Sequence, residues 1–245
     1  MIPPRYHLTF DQDWAPDWAV DDLIELLDRQ GLTGTFFVTH GSPVLDRLRR
    51  SGRFELGIHP NFLPGSSHGN TPAEVVGSLM SLVPEAVGAR AHYLVQGTPT
   101  LQAYAARGLL YDAASLRDDV AGLEPFVSWT GVVDLPIWFE DDVALQRGRP
   151  PGPHLLTSAP AGLRVFNFHP VLVALDACDL QGYAGLKANL ASRGVRLTDA
   201  TPTDFAPFVQ RGGVGSFLRT LTTFLEERPH LRGTFLAEEA RSARG

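Results

Sequence analysis

The sequence has a single cysteine, Cys178. One thiol makes neither a disulfide framework nor a cysteine-rich zinc centre, and Cys178 reads as a small buried hydrophobe. Apolar runs near the roughly 18 residues that cross a bilayer are also missing. Met1–Tyr6 lacks a basic segment followed by an apolar one. Neither a membrane span nor a secretory leader is therefore expected, and a cytoplasmic location is. An excess of cations is missing too. Lys and Arg number 21 against 27 Asp and Glu, a formal net charge of -6, which argues against nucleic acid or an anionic membrane as partner. No repeat of fixed period and no low-complexity tract appears. What remains is an ordinary globular composition, 44% hydrophobic and 20% charged over 245 residues. That is enough for a core without disulfide support, read as a single domain over 1–245.

Along the chain, strand and helix signals alternate. An apolar run ends in Leu8-Thr9-Phe10-Asp11-Gln12-Asp13-Trp14. A helical stripe follows over 19–30, with Asp17 as its N-cap and Gly31 as its stop. Thr35-Phe36-Phe37-Val38-Thr39 reads as a strand buried on both faces. A short helix spans 43–51. The strand 54–58 delivers His59, and a Gly/Ser/Pro loop covers 61–70. Thr71-Pro72-Ala73-Glu74 has the form of a capping box that opens a helix to about Leu82. Further strands are expected at 91–95, 111–114, within 129–138 and at 163–168, with helices at 99–107, 183–193 and 212–227. The segment 146–153 is an exposed linker, and 118–124 has no clear assignment. Strand, helix, strand in repetition gives an α/β fold with a parallel sheet.

The chemistry sits at strand ends. Residues two apart on a strand point the same way, roughly 7 Å apart, so Asp11 and Asp13 are expected side by side. His59 and His169 end two other strands, and His68 follows His59 in the loop. In a parallel sheet or barrel the C-terminal ends converge on one face. Imidazoles plus a carboxylate suit Zn²⁺, with Co²⁺ or Ni²⁺ also possible, and leave a position for water. A second carboxylate and a histidine across the site can move protons. Such a set hydrolyses an amide or ester. His7, His40, His154 and His230 read as structural or exposed. Trp14, Trp18, Trp129 and Trp138 read as core, although Trp14, next to the acids, could line a sugar site.

At these residues the sequence resembles the polysaccharide deacetylases with NodB-type homology (carbohydrate esterase family 4). Thr9-Phe10-Asp11-Gln12-Asp13 is similar to the family's Thr-Phe-Asp-Asp motif, in an Asp-x-Asp variant. Gly34-Thr35-Phe36-Phe37-Val38 resembles its Ala-Thr-Phe-Phe-Val strand. Glu55-Leu56-Gly57-Ile58-His59-Pro60 resembles its metal-histidine motif. Arg90-Ala91-His92-Tyr93 resembles its third motif without the usual prolines, and Phe166-Asn167-Phe168-His169 its last. The order and spacing of all five agree. The resemblance runs through about residue 170 and implies a distorted (β/α) barrel.

The resemblance also implies roles. Asp11 would be the general base, Arg90 the group that orients it and keeps it ionised, and His169 the general acid. Asp13 and His59 would hold the metal. The family commonly spaces its two metal histidines by four, whereas His68 comes nine residues after His59. His68 is the favoured third ligand, with His92, Asn61 or water as the other candidates. Trp138 would be an aromatic wall on His169, and Trp14, Trp138, His92 and Asn61 are candidates for substrate contacts. The function implied is metal-dependent removal of an N-acyl group, N-acetyl foremost, from a soluble saccharide intermediate. Two other readings are a hydrolase of non-sugar amides with the same site, and an inactive carbohydrate-binding scaffold on the same fold.

Overall fold

A computed structural model of the chain describes residues 4–118, 120–157 and 161–245. The stretch Met1–Tyr6, read above for a leader, is thus described only from residue 4, and the unassigned stretch 118–124 lacks residue 119. The described strands are β1 (Pro4–Asp11), β2 (Gly34–Val38), β3 (Phe54–Ile58), β4 (Gly88–Ala89), β5 (Tyr111–Asp112), β6 (Phe126–Val127), β7 (Val133–Asp134), β8 (Ile137–Glu140) and β9 (Gly162–Phe168). They form one sheet in the order β6-β7-β5-β4-β3-β2-β1-β9-β8. All pairs are parallel except β6 with β7. Helices α1 (Asp17–Arg29), α2 (Val44–Ser51), α3 (Pro72–Leu82) and α4 (Thr98–Ala106) make the first crossovers.

The sheet curls into a distorted barrel. The chain after β5 pairs back onto β8: Ile137 N–H donates to Ser115 O at 2.8 Å, and Arg117 N–H to Ile137 O at 2.8 Å. Strand alternation then sorts the side chains. Tyr6, Leu8 and Phe10 of β1 face outward into the main core, where Phe10 stacks on Phe36 at 4.7 Å. Thr9 and Asp11 face inward, beside Asn167, which is paired with Thr9 in the β1–β9 register. The lower lumen is apolar, with Phe37, Tyr111, Val133, Leu163 and Val165 buried together. Gly57 is glycine because a Cβ there would sit 2.7 Å from the Phe37 ring.

A helix not foreseen from the sequence, Leu236–Arg244, closes the bottom of this lumen with Leu236, Ala237 and Ala240. Its anchor is polar. Glu239 accepts from Arg5 Nε at 2.9 Å and pairs with His7 Nε2 at 3.1 Å, and Ala237 N–H donates to the half-buried Glu55 at 3.2 Å.

Other expectations fare unevenly. The capping box at Thr71 and Glu74 is present, with Pro72 at the first helical position. The strand expected at 91–95 is instead β4 at Gly88–Ala89 followed by a 3-10 turn at His92–Leu94. The turn forms because Tyr93 and Leu94 adopt φ of 58° and 52°, which extended pairing excludes. Cys178 is only half-buried, and Trp129 is 70% exposed. Among the described residues, no helix is long and apolar enough to cross a membrane.

The floor anchor makes stability depend on pH. Burial opposes ionisation of Glu239, but His7 and Arg5 outweigh it and hold the carboxyl down to about 2, from 4.5. A depressed carboxylate stabilises the fold above its unfolded pKa and loses that contribution as pH falls toward the folded value. Glu239→Gln should therefore cost about 1–3 kcal/mol in urea unfolding near neutral pH. The gap to the parent protein should close between about pH 4.5 and 2. Equal unfolding midpoints for the two proteins at neutral pH would refute this.

Candidate active site

Asp11, His59 and His169, expected at strand ends, arrive at the same rim, and Arg90 joins them there. Asp11 ends β1, His59 follows β3, Arg90 follows β4 and His169 follows β9. The lower layer of the site is a buried network around Arg90, which is 0% exposed. Its Nη1 donates to Asp11 Oδ1 at 3.1 Å, to Thr9 Oγ1 at 2.9 Å and to Asn167 Oδ1, while Nε donates to Ala113 O at 2.8 Å. The Phe37 ring lies 4.4 Å beneath the guanidinium. Asn167 Nδ2 donates to the other Asp11 oxygen at 2.8 Å and to Glu140 Oε1 at 2.9 Å. Asp11 is thus held through both oxygens by a cation and an amide.

Asp13 is not on the strand. Gln12 points away from the lumen, and its Oε1 accepts from Thr39 N–H at 3.0 Å and His40 N–H at 3.3 Å. The chain then reverses, with Asp13 and Trp14 at φ of 43° and 57°. Left-handed non-glycine residues cost of order 1–3 kcal/mol each and mark sites that surrounding structure over-determines. The turn places Asp13 among three histidines: Oδ1 lies 3.0 Å from His59 Nε2 and 2.8 Å from His92 Nδ1, and Oδ2 lies 3.5 Å from His169 Nε2. His92 arrives because Arg90 N–H donates to Ile58 O and His92 N–H to Pro60 O, both at 3.0 Å. The two residues therefore project alike, Arg90 into the lumen and His92 above it.

Asp13 Oδ1 and both His59 ring nitrogens are buried and make no hydrogen bond, despite these short approaches. Atoms that crowd a common point without aligning on one another suit a shared ion. The ligand atoms of Asp13, His59 and His92 all lie within 4.8 Å of one another. Two imidazoles and a carboxylate fit Zn²⁺ or a similar divalent ion.

The opposite wall carries the acids. His169 Nδ1 is 2.6 Å from Asp141 Oδ1, and the other oxygen of Asp141 accepts the His169 N–H at 2.8 Å. Burial alone would lower the imidazole's pKa. The carboxylates of Asp141, Asp142 and Asp13 outweigh it and raise His169 well above its ordinary range. Burial, with the neighbouring charges of Asp11 and Asp142, raises Glu140 well above the usual carboxylate range. For Asp13, burial is outweighed by His59 and His92, and the carboxyl lies well below its usual range.

Residues 8–187 match the family model of the WbmS-like polysaccharide deacetylases. The chain belongs to that family. It is 32% identical to a Bordetella bronchiseptica structure described as a polysaccharide deacetylase involved in O-antigen biosynthesis, covering 91% of each chain with a TM-score of 0.78. It shares the fold of a Mycobacterium smegmatis structure described as a polysaccharide deacetylase, at 17% identity and a TM-score of 0.59, over 99% of this chain and 91% of that one. Among curated proteins none matches. The NodB-type resemblance and the distorted barrel it implied therefore hold.

In this deacetylase-family chain, His68 does not join Asp13 and His59. Its Nδ1 accepts from Asn61 N–H at 3.1 Å and its Nε2 faces Thr39 O at 2.8 Å. Both nitrogens are thus engaged in pinning the 61–70 loop, and His92 takes the place beside Asp13. Asn61 spends its side chain on Leu63 N–H at 3.0 Å, shaping that loop. Trp138 is buried on Phe166, with the Arg164 guanidinium 3.8 Å from its ring, so it is core rather than a wall on His169. Trp14 stacks on His68 at 6.2 Å and meets His92 edge-on at 5.2 Å.

Asn167, Glu140, Asp141 and Tyr183 were missed. Asn167 could have been found two residues before His169, on the same face of its strand. Glu140-Asp141-Asp142 could have been found as three acids ending an apolar strand. Tyr183, from the helix Gln181–Ser192, left no pattern; burial and the Asp13 charge push its hydroxyl up to about 12.

In the metal-free protein, His169 should titrate above the ordinary histidine range, and Asp141→Asn should bring it down. Histidine ring NMR signals followed against pH measure both. A His169 titration unchanged by the substitution would remove Asp141 as its partner.

Proposed function

We propose that the protein is a divalent-metal-dependent hydrolase that removes an N-acyl group, N-acetyl foremost, from a saccharide. The observation that carries this reading is the convergence of Asp13, His59 and His92 ligand atoms, with Asp13 Oδ1 and both His59 nitrogens buried without hydrogen-bond partners, between Asp11 on one side and His169 on the other. Asp13, His59 and His92 hold the ion, Zn²⁺ best and Co²⁺ or Ni²⁺ next. When bound, the ion supplies Lewis-acid polarisation of the acyl oxygen and lowers the pKa of water.

The chain's own residues supply the proton transfers. Asp11, aimed through both oxygens by Arg90 and Asn167, takes the proton of the attacking water. His169, kept protonated by Asp141, gives a proton to the departing amine. The whole chain is read as one catalytic domain.

Acetate release from a panel of N-acetyl sugars tests the activity. Turnover of small non-sugar amides with no acetate from any sugar would overturn the substrate class. Asp11→Asn should keep about one equivalent of metal by elemental analysis and lose turnover by about 10²–10⁴-fold. Asp13→Ala and His92→Ala should lose metal, whereas His68→Ala should retain it. Loss of metal from Asp11→Asn would reverse the roles of the two acids, and a protein that binds no divalent ion at all would be a scaffold.

A further inference from the structure

Glu140 is buried beside the site, and the proposed reaction gives it no task. It ends β8 and is the register partner of Asn167 on β9, which is in turn the partner of Thr9 on β1. Glu140 is 4% exposed and Asn167 0%. The Asn167 amide is fully used. Its Oδ1 accepts from Arg90 Nη1, and from Thr9 Oγ1 at 2.9 Å. Its Nδ2 gives one hydrogen to Asp11 Oδ2 at 2.8 Å and the other to Glu140 Oε1 at 2.9 Å. Without Glu140, that second hydrogen would be buried with no acceptor, and the amide would gain by turning away from Asp11 to find one.

The neighbouring charges decide the state of Glu140. Arg90 meets Asp11 at 3.1 Å, and His169 meets Asp141 at 2.6 Å. Each nearby cation thus already faces another acid. An ionised Glu140 would be an uncompensated buried charge, which burial penalises severely. Burial first, then the charges of Asp11 and Asp142, raise it well above the usual carboxylate range, and burial moves Asp142 in the same direction. A proton also accounts for two orphaned atoms together. Glu140 Oε2 and Asp142 Oδ1 are both buried without a hydrogen-bond partner. One oxygen from each of Glu140, Asp141 and Asp142 lies within 4.8 Å of the others and of a His169 nitrogen. A carboxyl O–H on one side and a lone pair on the other satisfies both atoms. A divalent ion in the same group would need Asp141, whose oxygens are already committed to His169 Nδ1, His169 N–H and Asp142 N–H. A proton leaves that pair intact.

We infer that Glu140 is a neutral carboxylic acid that positions Asn167: its Oε1 accepts the second amide hydrogen, its own proton goes to Asp142, and the first amide hydrogen therefore stays on Asp11. What this orientation achieves, a fixed direction for the base, rests on the proposed deacetylase reading. The hydrogen bonds do not.

Glu140→Gln and Glu140→Leu test the role. The glutamine keeps the acceptor for Asn167 and supplies an N–H for Asp142, whereas the leucine offers neither. Glu140→Met, also without an acceptor, replaces the leucine variant if that does not fold. The Asn167 side-chain amide, followed by NMR, should exchange slowly with solvent in the parent and glutamine proteins, and at least about tenfold faster in the apolar variant. All three proteins should bind one equivalent of Zn²⁺. With the N-acetyl sugar that the parent turns over best, kcat should fall about 10- to 100-fold in the apolar variant at unchanged KM, and Glu140→Gln should rescue it to within about threefold. A glutamine variant as impaired as the apolar one, an unprotected Asn167 amide in the parent, or a second equivalent of Zn²⁺ that Glu140→Gln removes overturns the inference. Amide protection that follows the variants as expected, with no acetate from any N-acetyl sugar, keeps the role of Glu140 and sinks the deacetylase reading instead.

Discussion

One buried guanidinium organises the site. Arg90 sits in the barrel lumen with no exposure, and an ion so placed loses several kcal/mol of hydration. It persists because β1, β9 and the chain after β5 each bring it an acceptor: Thr9 and Asp11, Asn167, and Ala113 O. A buried ion pair is weak evidence of stability, and an apolar replacement of the whole set could be as stable. What the arrangement secures is orientation. The proposed base, Asp11, tied through both oxygens, presents its remaining lone pairs in a fixed direction.

Above that layer the electrostatics divide in two. On one side Asp11 faces a cation and an amide. On the other His169 faces Asp141, with Asp142 and Glu140 nearby. Asp13 lies between them and touches histidines from both sides. In the proposed function the same two residue types, aspartate and histidine, would serve as base, ligand and acid, and their surroundings would separate the roles. Burial raises Glu140, while histidines lower Asp13.

The parts of this arrangement that follow strand alternation could be read in the chain. The parallel sheet, the capping box at Thr71 and the convergence of His59 and His169 all depend on period and on strand ends, whereas the Asp11–Arg90 pair came only from the resemblance to a family motif. The parts that depend on a turn could not. Asp11 and Asp13 look like neighbours on one face, but Gln12 spends its amide on the β2 loop and two left-handed residues swing Asp13 outward. The true companion of Asp11 is Thr9. His68 is near His59 in sequence and looks like its partner, yet backbone groups at Asn61 and Thr39 claim both its nitrogens. His92 was visible as a residue, but the expected strand at 91–95 hid the bend that presents it. Asp141 was visible as one of three acids ending an apolar strand, but its place beside His169 needed the β8–β9 pairing, which no local pattern encodes.

The position of β1 between β2 and β9 bears on how the chain acquires its shape. β1, β2 and β3, with the crossovers between them, pair locally, whereas the other side of β1 waits for residues 162–168. Closing so long a loop is entropically costly and slow. Asp13, His59 and His92 all belong to the first 92 residues, while Asp141 and His169 arrive with β8 and β9. A nascent barrel with one unpaired central edge would therefore assemble its ion-holding half before its proton-donating half. Until β9 docks, the Arg90 charge lacks Asn167 and the lumen remains open to water. The proposed acid and base would thus meet only in the event that hides the exposed edge of β1.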